Sequence, residues 1–146
     1  MCKIVFIGTV EELKDTYFKS TLYIETVDNE LLTIVDKFEN PHVYFVGTSE
    51  ECSCGFGIQK DYNPYQKSDE DNESLQEDKD FYEQTLKLIE IIEENTTSQN
   101  PTEFYCCWVG DYSLPAEKIQ IVNLAEVSLI ENFEINERVK TKFIRI

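Results

Sequence analysis

The stretch from Ser74 to Val109 constrains the fold more than any other part of the chain. Ser74-Leu-Gln-Glu77 has the spacing of a capping box, which predicts a helix over about 75–94. Phe81, Tyr82, Thr85, Leu88, Ile89 and Ile92 recur at helical spacing as one inner stripe, and Asn95 suits the C-terminal cap. Acids crowd the first turns, where the helix dipole favours them. Beyond Pro101, Phe104-Tyr-Cys-Cys-Trp-Val109 has no polar face and reads as a central strand.

The flanking pattern adds strands on both sides. Lys3-Ile-Val-Phe-Ile-Gly8 is a short β-branched and aromatic run, read as a buried strand. Thr9-Val-Glu-Glu12 has capping-box spacing, which allows a short helix over about 10–18. Residues 21–26 and 42–47 read as strands, the second set off by the breaker Asn40-Pro41. Leu31, Leu32, Val35 and Phe38 share a helical face, with Asp28 or Asn29 as cap, although Leu-Leu-Thr-Ile-Val also fits a strand. Lys118–Val122 alternates as a strand, Asn123 suits the cap of a single turn, and residues 138–146 form a strand with one basic face. The expectation is an α+β protein of about four to six strands in a mixed or mostly antiparallel sheet, with one long helix and one or two short ones. At 146 residues this is one domain, with an exposed acidic loop at about 60–74.

Charge narrows the function classes. The chain carries 29 acids and 13 bases, a net charge of −16. Direct nucleic-acid binding is not expected, because it needs bases to displace counterions, and an anionic membrane surface is disfavoured for the same reason. Residues 69–94 hold eleven acids against two lysines, whereas the last ten residues carry four bases and one acid. A negative helix face suits a basic protein partner. The candidate contact residues are Asp69, Glu70, Asp71, Glu73, Glu77, Asp78 and Asp80, with Tyr62 and Tyr65 as aromatic anchors. The opposing view of this face is an ordinary solvated surface.

Five cysteines, an odd number, and no export signal at the start point to free thiols in a reducing, cytoplasmic setting. Cys52 and Cys54, one residue apart in a Gly-containing loop, are candidate soft ligands for zinc, with Cys2, Cys106, Cys107 or His42 to complete the set. Recognisable zinc knuckles use longer spacing, and Cys106 and Cys107 point to opposite faces of a strand. Buried thiols and no cofactor are therefore the expectation, with zinc as the alternative. A catalytic Cys–His pair is disfavoured, since His42 and Cys52 lie roughly 20–30 Å apart along an extended chain. Phosphate-loop, dinucleotide-binding, zinc-protease and serine-hydrolase motifs are all missing, so a non-enzymatic role is expected.

Three short segments carry a resemblance: the opening Met1-Cys2-Lys3, Tyr44-Phe-Val-Gly-Thr-Ser-Glu-Glu-Cys-Ser-Cys-Gly-Phe56, and Cys107-Trp-Val-Gly-Asp111. Together they are similar to a group of small, acidic, uncharacterised bacterial proteins. Those begin Met-Cys-Lys, carry Val-Gly-Ser-Ser-Glu-Gly-Cys-x-Cys-Gly-Phe and later show a Trp-x-Gly-Asp turn. Thr48 and Glu51 stand here where Ser and Gly would. The resemblance implies a bacterial single-domain protein and no particular activity. The first functional expectation is a protein-binding module, in the manner of an immunity protein or antitoxin occluding a basic toxin domain. The second is a metal- or thiol-dependent protein built on Cys52 and Cys54.

Overall fold

The computed structural model describes residues 2–28, 31–50, 52–57, 63–66 and 72–146. Six strands form one sheet: β1 (Lys3–Thr9), β2 (Tyr23–Thr26), β3 (His42–Gly47), β4 (Thr102–Trp108), β5 (Lys118–Asn123) and β6 (Val139–Ile144). Their spatial order is β2-β3-β1-β4-β6-β5, and each neighbouring pair is antiparallel except β5–β6. The α+β expectation holds.

The central strands β1 and β4 are the most deeply buried. β1 and β4 pair from Lys3↔Trp108 to Gly8↔Glu103, and every β4 residue from Thr102 to Cys107 is buried. A strand covered on both faces needs apolar side chains at odd and even positions alike, which explains the unbroken run in its sequence. Alternation then splits the core in two. Val5, Ile7, Phe104 and Cys106 face the long helix α3 (Asn72–Asn95), meeting Leu88, Ile89, Ile91 and Ile92. Ile4, Phe6, Tyr105 and Cys107 face the other way, under Ile34 and Phe38 of the segment that holds the one-turn helix α2 (Leu32–Val35).

Several boundaries differ from the sequence expectation. Helix α3 begins at Asn72, two residues before Ser74, and its buried face also takes in Leu75, Gln84 and Ile91, while Phe81 and Tyr82 are half-buried. The helix foreseen over 10–18 shrinks to one turn, α1 (Asp15–Phe18). Thr9 does not cap it: Thr9 closes β1, fully buried, and its hydroxyl donates to the Glu11 carbonyl at 2.5 Å. The segment at 31–38 is helical only over α2, whose cap position, Leu31, makes no side-chain cap bond. Asn123 does open a single turn, accepting the Glu126 and Val127 amides, before the short helix α4 (Leu129–Asn132). Most of the acidic loop at 60–74 lies outside the described residues. Among those described, no helix is long and apolar enough to cross a membrane.

Candidate functional site

The turn after β3 is built to fold back on the sheet. The amides of Thr48 and Ser49 both donate to the Cys52 carbonyl, at 2.9 and 3.1 Å. Gly47 makes this possible: a Cβ there would lie 2.4 Å from the Ser49 carbonyl and 2.8 Å from that of Cys52. Beyond the turn, the Ser53 amide donates to the Lys3 carbonyl at 3.0 Å, and the Ser53 hydroxyl bridges the Val5 amide and the Val46 carbonyl. Residues 52–54 thus lie beside the first residues of β1, where β3 has ended. Gly55 then lets the loop press on helix α3, since a Cβ would sit 2.2 Å from the Phe81 ring.

The consequence is a cluster of three thiols. The sulfurs of Cys2, Cys52 and Cys54 all lie within 4.8 Å of one another. Two amides point into the group: that of Lys3 donates to Cys54 Sγ and that of Cys54 to Cys52 Sγ, each at 3.2 Å. Burial opposes ionisation of Cys54, but hydrogen bonds from Cys52, the Lys3 amide and Cys2, together with the Lys3 charge, outweigh it and hold this thiol below its ordinary range. Cys52 moves the opposite way, pushed up to about 12 by burial and by its bond to Cys54. The two bonded sulfurs are thus pushed in opposite directions, Cys54 towards ionisation and Cys52 away from it.

Four zinc-bound sulfurs in a tetrahedron stand about 3.8 Å apart, given Zn–S bonds of about 2.3 Å. A trio within 4.8 Å needs only small side-chain rotations to reach that spacing. Of the completing ligands considered from sequence, Cys2 joins and the others do not. Cys106 and Cys107 lie in the two separate cores, with their thiols pushed up by burial to about 12 and about 11. His42 pairs with Thr9 at the far end of β1. The signal for Cys2 was indirect: only the register of β1 places its start beside the loop.

The acidic candidates are distributed differently. Asp69, Glu70, Asp71 and Tyr62 lie outside the described residues, and Glu73 is placed as backbone only, inside helix α3. Glu77, Asp78 and Asp80 are exposed on that helix. Glu77 and Asp80 join Glu83 in lining an open groove of about 680 Å³ between the helix and residues Thr21 and Thr48. Tyr65, half exposed, bonds to Glu83, stacks edge-on against Tyr82 at 6.1 Å and lies under the Lys79 ammonium at 5.5 Å. These contacts hold the half-exposed ring against α3. Compared with known proteins, the chain matches no family model, no curated protein and no solved structure.

Proposed function

We propose that the protein binds a thiophilic metal ion of the zinc class through Cys2, Cys52 and Cys54. The observation that carries this reading is the convergence of three sulfurs from segments some 50 residues apart, held by a turn that Gly47 permits. Buried thiols that merely fill a core lie singly among apolar side chains, as Cys106 and Cys107 do. Here Cys54 is exposed and accepts an amide. Three protein ligands leave a fourth position for water or another donor, as in zinc sites that are not purely structural.

The test is cobalt titration of reduced protein, followed by absorption. Thiolate-to-cobalt charge-transfer bands saturating at one ion per chain are expected, and Cys2→Ser, Cys52→Ser or Cys54→Ser should each weaken or abolish them. Cys106→Ser should leave them intact. Bands that survive all three substitutions, or that never appear in the parent protein, would overturn the proposal.

A second reading rests on the groove lined by Glu77, Asp80 and Glu83. It supports a docking face for a basic protein, of the kind an immunity protein or antitoxin offers to a toxin domain. Charge reversal at Glu77 and Asp80 should slow association with such a partner and flatten its salt dependence. Unchanged kinetics would sink this second reading.

A further inference from the structure

On the sheet face away from α3, a cleft of about 810 Å³ opens between β1, the segment from Glu25 to Leu31 and the loop after β4. Its volume falls in the range of sites that enclose small organic molecules. Phe6, only 1% exposed, lies at its base, with Phe45 edge-on at 6.4 Å and Tyr112 edge-on at 6.2 Å. Lys37 fixes the Tyr112 side from behind, donating to the Thr33 and Tyr112 carbonyls at 2.9 and 2.8 Å. Those bonds turn its charge onto backbone oxygens rather than into the cleft.

The charged groups among the described lining residues are of one sign. Glu25, Asp28 and Glu50 all border the cleft, and all three are exposed where the aromatic side chains are not. An apolar, aromatic base under a carboxylate rim matches an organic cation with an apolar body: the body packs against the base, and the carboxylates pair with the charge at the mouth. A neutral apolar ligand would gain only the base, and an anion would be repelled by the rim.

We infer that this cleft binds a small organic ammonium ion with an aromatic or aliphatic body, its cationic end held between Glu25 and Glu50. The inference does not rest on metal binding, although Cys2 also borders the cleft and gives a local reporter.

The experiment is calorimetric titration of metal-free, reduced protein with phenethylammonium, against 2-phenylethanol as a neutral analogue of similar size. Saturable binding of the ammonium, at least tenfold tighter than of the alcohol, is expected. Glu25→Gln with Glu50→Gln should weaken it at least tenfold. So should Val109→Lys, which places a cation at the rim on a side chain that is 45% exposed and so outside the core. Glu90→Gln with Glu93→Gln, on α3, should leave affinity unchanged, which separates the cleft from the general pull of an acidic protein. Bound phenethylammonium should also slow alkylation of Cys2. Equal affinity for the alcohol, equal loss in the α3 double variant, or no saturable binding would each overturn the inference.

Discussion

The strand pair β1–β4 carries a polar cluster at each end, and the two clusters are built on opposite principles. At the Gly8–Glu103 end, the Glu103 carboxylate is 1% exposed and fully engaged. It accepts the Glu39 amide at 2.9 Å, the Asn40 amide at 2.7 Å, and an ion pair from Lys140 at 2.7 Å. The Asn40 side chain adds bonds to the Gly8 and Pro101 carbonyls, both at 2.9 Å. At the Lys3–Trp108 end, two amides among the described residues donate to the three sulfurs, and Cys54 is exposed. A buried charge whose acceptor capacity is filled holds the fold together and has nothing left for a ligand. A soft-donor cluster with capacity to spare, near the surface, is where a ligand can be added. The contrast separates framework from site without reference to any relative.

The strongest way to break this contrast is at the framework end. Glu103→Ala removes the partner of Lys140 and leaves two amides unpaired, so a loss of about 3–5 kcal/mol is expected in urea denaturation. A loss below about 1 kcal/mol would mean that water replaces the carboxylate and that this end is no more committed than the other. At the thiol end, a metal at 100 times its dissociation constant should raise stability by about 2.7 kcal/mol. The gain should vanish on chelation and be missing in Cys54→Ser, while the metal-free chain still unfolds cooperatively.

The sequence made one of these ends easier to read than the other, for physical reasons. Helix α3 and strand β4 announce themselves because periodicity and apolar runs are local properties of the chain. The counts of strands and helices pointed to an α+β domain but left the sheet open between mixed and mostly antiparallel. The polar clusters are not local. Glu103 sits alone among apolar neighbours in β4, and only the register to β6 brings Lys140 to it. Cys52 and Cys54 were visible as a pair, but Cys2 joins them only because the turn lays residues 52–54 beside the first residues of β1. Cys106 and Cys107 show the converse. Sequence neighbours on a strand are assigned to opposite faces, so adjacency in the chain kept those two thiols apart. The capping box at Thr9 misled for a related reason: the spacing is a short-range signal, and strand pairing claimed Thr9 first.

Alkaline titration sharpens the comparison among the thiols themselves. Cys106 and Cys107 are fully buried, and burial holds their folded values at about 12 and about 11. The unfolded chain releases these protons near pH 9, whereas the folded chain must keep them. Stability is therefore intact below about pH 9 and falls as pH rises from there towards 11–12, by up to about 1.4 kcal/mol per pH unit for each thiol. Cys106→Val together with Cys107→Val should flatten that fall in denaturation series at pH 8–11. If the double variant loses stability with pH as steeply as the parent, groups other than these thiols govern the alkaline limb.

The smallest effect on stability is expected at Cys54, and its smallness carries information. Its thiol is exposed, so Cys54→Ser in the metal-free protein opens no cavity and leaves no buried acceptor without a donor. A change within about 0.5 kcal/mol is expected, against about 1–3 kcal/mol for Cys106→Ser, which buries a hydroxyl among apolar side chains. Reactivity should run the other way. Because its neighbours hold Cys54 below the ordinary thiol range, iodoacetamide at neutral pH should label it first, with Cys52 slower and Cys106 and Cys107 last, as read by peptide mass spectrometry. Chain-wide labelling at one rate would show that the native protein opens before it reacts. Labelling of Cys52 ahead of Cys54 would show that the thiolate forms on Cys52 and the proton stays on Cys54.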